Sequence, residues 1–297
     1  MKLTSNTLAK AALAATLLCA ANTWALNIVI ANDDGFETDN IIGLYDALKS
    51  AGHDVVISAP FENQSGRSSY VRMSEPLSDV VNDSPKGNIL EGAAGSGTHP
   101  DDVNIHYVNS TPVGAAAYGL NVVAQEKWGK NPDLLISGPN QGRNLGLITN
   151  YSGTMGAAVH ALRNGVPAMA VSAHYGTEDN KPLATEVAQV VVKIVNQLEQ
   201  NAGSGAILPK DTGLNVNLPL FDVGQGNQLQ VRFTELGEFA PNEGYGDEGF
   251  GFKFLKDLSQ DLFYGSYFTS ADSGIGFVVT DINAKTEENP NAEGVHS

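Results

Sequence analysis

The hydrophobic positions of this chain fall into two recurring patterns. Short apolar runs at Ile28–Ala31, Asp54–Ala59, Asp133–Ser137, Ala168–Ser172 and Leu214–Leu218 are each closed by Asn, Gly or Pro nearby. Continuous apolar runs of this length between turn signals predict strands buried on both faces of a sheet. Between them lie stretches of helical period. Ile41, Leu44, Tyr45 and Leu48 recur at i, i+3, i+4 and i+7 and predict a helix over Thr38–Ala51, capped by Thr38 or Asp39 and ended by Gly52. Pro112–Gln125 predicts a helix of small residues, and Gly153–Thr154 opens another that stops at Asn164-Gly165. Thr185–Gln200 is strongly amphipathic, with Val187, Val190, Val191, Ile194, Val195 and Leu198 on one face.

Alternating strands and helices predict an α/β fold with a parallel sheet. Val71–Glu91 reads as short strands and turns, and Gly92–Asp102 and Gly138–Ser152 read as loops. After Pro219 the helical period disappears while glycine and aromatics rise across Asn242–Tyr267. That stretch predicts a C-terminal extension of β-hairpins and loops over residues 221–284, followed by a polar tail, Lys285–Ser297. Residues 26–220 are the expected core.

The first 25 residues follow a different logic. Lys2 and Lys10 precede or begin an Ala/Leu-rich run, Ala11–Ala21, and Thr23-Trp24-Ala25 places small residues where a signal peptidase reads them. This order predicts a secretory signal peptide cut after Ala25, and hence an exported protein, periplasmic or secreted. The run is too short to span a bilayer, and no later stretch qualifies, so no membrane partner is expected. Cys19, the single cysteine, lies inside the leader, which leaves no thiolate chemistry for the mature chain. Removing a leader with two lysines and no acid takes the formal net charge from −16 to −18. Such an acidic surface lacks the basic stripe that a nucleic-acid duplex needs, and it repels anionic substrates at long range.

Chemistry concentrates where the strands end. Ile28–Ala31 runs straight into Asn32-Asp33-Asp34-Gly35, and open α/β sheets place their sites beyond the carboxyl ends of strands. Two adjacent carboxylates repel and call for a cation or a shared proton. The loop after the second strand carries Asn63, Ser65 and Ser68, and the loop after Asp133–Ser137 carries Asn140, Asn144, Ser152 and Thr154. Two carboxylates among neutral oxygens suit a hard divalent cation, Mg²⁺ or Mn²⁺ with Ca²⁺ as an alternative, better than Zn²⁺. Ser152-Gly153-Thr154 opens a helix, where free amides and the dipole favour an anion, with Asn144 and Arg143 as further donors. The same residues also serve as a plain N-cap. His174 follows a strand end and is a weaker candidate; His53, His99, His106 and His160 lack partners at ligand spacing.

Asn32-Asp33-Asp34-Gly35, Ala59-Pro60 with Gln64–Ser68, Pro132–Asn140, Gly142–Gly146 and Tyr151–Gly156 resemble, in order and spacing, the survival protein SurE family. The resemblance runs from about Asn27 to Val216. It implies a Rossmann-like three-layer core with a C-terminal arm exchanged between subunits, in a homodimer or homotetramer. It also implies a divalent-metal-dependent phosphatase acting on nucleoside 5′- and 3′-monophosphates. The family's ligand set of two aspartates, a serine and an asparagine falls on Asp33, Asp34, Ser65 and Asn140. Asn40 stands where the family usually has Gly. Of two stretches that compete for a family helix start, Gly97–Asp102 and Ser110–Gly114, the second leads directly through a helix to Asp133–Ser137.

The reading is therefore a phosphomonoesterase, a 5′/3′-nucleotidase of acid-phosphatase type. Asp33 and Asp34 hold the cation and orient water, and Ser65 and Asn140 complete the shell. Asn144, Ser152, Gly153 and Thr154 receive the phosphoryl group. A non-catalytic module that binds nucleotide or sugar phosphate stays open as an alternative. An aspartyl-phosphate mechanism ranks last, because no lysine partner follows a later strand.

Overall fold

In the computed structural model the described residues are 25–72, 76–175, 177, 180–229 and 266–269. The leader up to Trp24 and most of the C-terminal extension lie outside them.

The elements are β1 (Asn27–Ala31), α1 (Asp39–Ser50), β2 (Asp54–Pro60), β3 (Ser96–His99), β4 (Asp102–Val108), α2 (Pro112–Tyr118), α3 (Ala124–Trp128), β5 (Leu134–Gln141), α4 (Gly153–Arg163), β6 (Ala168–Ala173), α5 (Lys181–Ala202), β7 (Thr212–Asn217) and β8 (Ser266–Thr269). A π-helical turn, Gly119–Val123, joins α2 to α3, and a 3₁₀ turn, Gly146–Asn150, precedes α4. The sheet order is β3-β4-β2-β1-β5-β6-β7-β8. The six inner strands run parallel, and β3 and β8 are antiparallel edges.

Strand alternation builds two cores. Ile28, Ile30, Ile57, Leu134, Ile136, Val171 and Val216 face α1 and α5, against Ile41, Leu44, Leu48, Val187 and Val191. Val29, Ala31, Val56, Leu135, Ala168 and Ala170 face α2–α3 and α4, against Leu120, Val123, Met155, Ala158 and Leu162. Helices thus cover both faces, which makes the three-layer α/β core. Small residues in α4 (Ala157, Ala158, Ala161) let that helix sit close to the sheet. Thr111 caps α2, accepting from the Gly114 amide at 3.2 Å, and Pro112 takes its first position. This is the helix start chosen above over Gly97–Asp102.

Three expectations need correction. Gly92–Asp102 is not all loop: it contains β3, whose pairing with β4 supplies the hydrogen bonds that its glycines left unsignalled. Gly138–Gln141 is not loop either, because β5 continues to Gln141 alongside β6 with a register shift between Ser137 and Asn140. Among the described residues 76–91 no strand forms. That segment folds back by turns, with Val80 and Ile89 in the core and Glu37 accepting from Ser84 Oγ (3.0 Å), the Lys86 amide (2.9 Å) and Asn88 (2.8 Å). Among the described residues no helix is long and apolar enough to cross a membrane.

The topology selects one edge for function. From β1 the chain moves outward through β2 to β4, then returns to β5 on the other side of β1. The order reverses between β1 and β5, and crevices at such a switch point are where open α/β sheets bind ligands.

Candidate active site

Beyond β1 the chain turns at once, clamped by Asn32. Its side-chain Nδ2 donates to the Gly35 carbonyl (2.8 Å) and its Oδ1 accepts from the Gly35 amide (3.2 Å). The turn holds Asp33 and Asp34 side by side at the mouth of the β1/β5 crevice, 3% and 8% exposed. Asp33 lies over the N-terminus of α4. Its Oδ1 accepts from the Thr154 hydroxyl at 2.7 Å, and the Gly153 and Thr154 amides donate to the carboxylate as well. Burial pushes the Asp33 pKa up, and these hydrogen bonds oppose the rise. Gly153 is required for this approach. A Cβ there would stand 2.8 Å from the Asp33 Cβ, 2.9 Å from its Oδ2 and 2.7 Å from Pro112 Cγ.

Asp34 is fixed from the β5 side. Its Oδ2 accepts from the Gln141 amide at 2.8 Å, and Asn63 Nδ2 approaches its Oδ1 at 3.4 Å. The charge of Asp34 and burial together push the Tyr175 phenol up, burial being the larger cause. Asn140 is buried and spends its Nδ2 on the Gly142 carbonyl at 2.6 Å, which leaves the side-chain oxygen as its other polar atom. The irregularity in β5 sets Asn140 opposite Ser172 of β6. Bulges of this kind re-aim side chains beside sites.

Asn144 sits one layer deeper. Its Nδ2 donates to Ser172 Oγ (2.8 Å) and to Thr154 Oγ1 (3.3 Å), and its amide donates to Asn217 Oδ1 (2.8 Å). Asn215 closes the network, donating to the Asn144 carbonyl at 3.1 Å and accepting from Asn217 at 3.2 Å. Ser152 is the N-cap of α4, its hydroxyl accepting from the Met155 amide at 3.1 Å. The Thr154 hydroxyl is fully buried and its one proton goes to Asp33.

Ser65 is placed differently. It is exposed, its amide donates to Asn63 Oδ1 at 2.9 Å, and no described hydrogen bond joins its side chain to the carboxylates. Its loop is nevertheless tied to them, since the Gln64 amide donates to the Asp33 carbonyl at 2.7 Å. Farther along the same loop, Ser68 donates to the carbonyls of Tyr151 and Asn150 at 3.1 and 2.7 Å. The structure therefore brings Asp33, Asp34, Asn144, Gly153 and Thr154 together, with Asn140 adjoining on β5. Ser152 acts locally, and Ser65 stands on a tethered loop. His174 turns its Nδ1 to the Tyr175 carbonyl.

Sequence reasoning passed over Gln141, Ser172, Asn215 and Asn217. For the last two a signal existed. In Leu214-Asn-Val-Asn the polar residues alternate with apolar ones inside a strand buried on both faces, and a buried amide demands partners.

Comparison with known proteins gives the chain its family. The family model "Survival protein SurE" matches residues 28–243. A "5'-nucleotidase SurE" from Caldanaerobacter subterraneus is 32% identical over 212 residues, covering 71% of each chain. An "Acid phosphatase" from Yarrowia lipolytica is 35% identical over 204 residues, 65% of this chain and 56% of that protein. The crystal structure of the SurE protein from Aquifex aeolicus superimposes with a TM-score of 0.57 at 26% identity, covering 89% of this chain and 86% of the other. The chain belongs to the survival protein SurE family.

Proposed function

We propose that this chain is a phosphomonoesterase that hydrolyses nucleoside monophosphates with a divalent cation, and that it does so outside the cytoplasm after losing residues 1–25. The observation that carries the reading is the pair of buried carboxylates at the β1/β5 switch point, surrounded by neutral oxygen donors. Relatives named 5′-nucleotidase and acid phosphatase support the reaction class.

The residues fit a hard cation. The hydrogen-bond partners described for Asp33 are neutral, and a buried carboxylate is costly without a positive charge. Asp33 and Asp34 would supply the anionic ligands, the Asn140 side-chain oxygen a neutral one, and the Ser65 hydroxyl a further one from its tethered loop. Among the described residues no histidine or cysteine joins them, so Mg²⁺ or Mn²⁺ suits the set, and Ca²⁺ is the alternative. When bound, the cation polarises phosphoryl oxygens and lowers the pKa of an attacking water.

The chain's own residues do the positioning. The Thr154 hydroxyl fixes Oδ1 of Asp33, the α4 amides donate to the same carboxylate, and the Gln141 amide fixes Oδ2 of Asp34. Asn144 holds the Thr154 hydroxyl from behind, with Ser172 and Asn217 holding Asn144. The positive end of α4 favours negative charge at this point, whether carboxylate or incoming phosphoryl group. Geometry of this stiffness lets ligands keep their aim while charge moves in the reaction.

The test is hydrolysis of 4-nitrophenyl phosphate by the purified protein. EDTA should abolish turnover and Mn²⁺ or Mg²⁺ should restore it. Failure to turn over any phosphate ester with any of the three cations would favour the binding module instead.

A further inference from the structure

The end of the sheet opposite Asp33 carries a second polar cluster that the reaction does not use. Leu26 enters β1 there, His53 enters β2, and Glu199 lies in the last turn of α5. The His53 ring is buried, and its Nδ1 accepts the Leu26 amide proton at 3.3 Å. That nitrogen therefore carries no proton of its own, in keeping with burial, which pushes the His53 pKa down. Glu199 Oε1 is 4.0 Å from the same nitrogen, so the two do not form an ion pair as they stand.

Glu199 lacks a counterpart. Its side chain is 7% exposed, and both carboxylate oxygens are buried without a hydrogen-bond partner. It sits at the negative end of a 22-residue helix whose last turn has no basic residue. A carboxylate is disfavoured there by the helix dipole as well as by burial. Lys130, the nearby cation, is committed to Asp133 at 3.1 Å, and Asp133 also accepts the Asn27 amide at 2.8 Å. A cavity of about 750 Å³ joins these groups, lined by Ala25, Leu26, Asp133, Glu199 and Gly203 among others.

We propose that this is a docking site for the α-ammonium group of Leu26, created when the leader is removed. The inference rests on the export reading above. Hydrolysis breaks the Ala25–Leu26 amide bond. Water gives its hydroxyl to the Ala25 carboxyl and a proton to the Leu26 nitrogen, which takes one more proton from solvent. An amide has one proton, and here His53 takes it. An ammonium has three, so it keeps the His53 bond, reaches Glu199 with a second proton and leaves the third to solvent at the partly exposed Leu26. Cleavage thereby supplies the positive charge that Glu199 lacks, and ties the starts of β1 and β2 to the end of α5.

The experiment uses the full chain exported with its own leader and purified after processing. Mass spectrometry identifies the first residue. Trace acetylation of the α-amine across pH then reports its pKa. The expected midpoint lies at least about one unit above the ordinary 7.7–8.0 of an α-amine, which makes it about tenfold less reactive at pH 7. Glu199→Gln should bring both values back. A Leu26 start with an ordinary midpoint, or a raised midpoint that survives Glu199→Gln, overturns the docking while leaving export intact. A processed chain that starts at a residue other than Leu26 overturns the docking, and a chain that keeps Met1 overturns the export reading with it. The wild-type midpoint decides alone should the variant not fold.

Discussion

Replacing Thr154 by Val separates a positioning role from a direct one. The substitution keeps the volume of a fully buried side chain and removes only the hydroxyl. That hydroxyl gives its proton to Asp33 Oδ1 at 2.7 Å and accepts from Asn144 at 3.3 Å. Asn144 keeps its bond to Ser172 at 2.8 Å, so the loss falls on Asp33. A hydrogen bond to a charged group contributes about 1.5–3 kcal/mol. Groups that orient metal ligands typically cost about 10- to 100-fold in metal affinity or activity when removed. We expect Thr154→Val to raise the Mn²⁺ concentration for half-maximal activity or lower kcat by that factor, with KM for substrate little changed. Thr154→Ser, which keeps the hydroxyl, should retain most activity while losing some stability to the missing methyl. Steady-state phosphate release against Mn²⁺ concentration measures both. Wild-type metal dependence and kcat in Thr154→Val would refute the positioning argument. A fall in Tm alone would assign Thr154 a purely structural role, though Ser152 already caps the helix.

Three further outcomes follow from the same geometry. Gly153→Ala should displace the Asp33 carboxylate, because the new Cβ would lie 2.8 Å from the Asp33 Cβ, and activity should drop more than Tm. Asn144→Ala should lower activity and also Tm by several degrees, since it leaves Ser172 and Thr154 each short of a partner while the backbone bond to Asn217 stays; thermal melts and phosphate release read the two effects. Asp102 accepts from Tyr45 (2.6 Å), Lys49 (3.3 Å) and Asn104 (2.9 Å), and these bonds outweigh burial and hold its pKa well below the ordinary 3.8. With the folded pKa depressed, its contribution is present above about pH 4 and is lost as pH falls below it. Asp102→Asn should therefore lower Tm at pH 7 by the equivalent of about 1–2 kcal/mol and by much less near pH 2.

How much of this was written in the sequence depends on the range of the interaction. The α/β class was legible because Ile28–Ala31 and Leu134–Ser137 are apolar on both faces and Thr185–Gln200 on one, and these are local patterns. Asp33 and Asp34 were legible because an apolar strand delivers them to a turn. β3 was not, since Ser96-Gly-Thr-His has one strand-favouring residue, Thr98, and no apolar alternation, and is held by its pairing with β4. The roles of Thr154 and Ser152 were ambiguous for the same reason. Which hydroxyl caps α4 and which reaches Asp33, 121 positions away, depends on how α4 meets β1. The Leu26–His53–Glu199 cluster left no local trace, because its members are brought together only when two strands and a helix end meet.

The most direct test of the proposed chemistry is release of inorganic phosphate from nucleoside 5′- and 3′-monophosphates in the presence of Mn²⁺, by the wild type and by Asp34→Asn. The Asn side chain can no longer offer two anionic oxygens, while the Gln141 amide keeps its acceptor. The account predicts turnover by the wild type and its loss, by at least about a hundredfold, in a variant that still melts cooperatively. Equal turnover by a folded Asp34→Asn protein would contradict it.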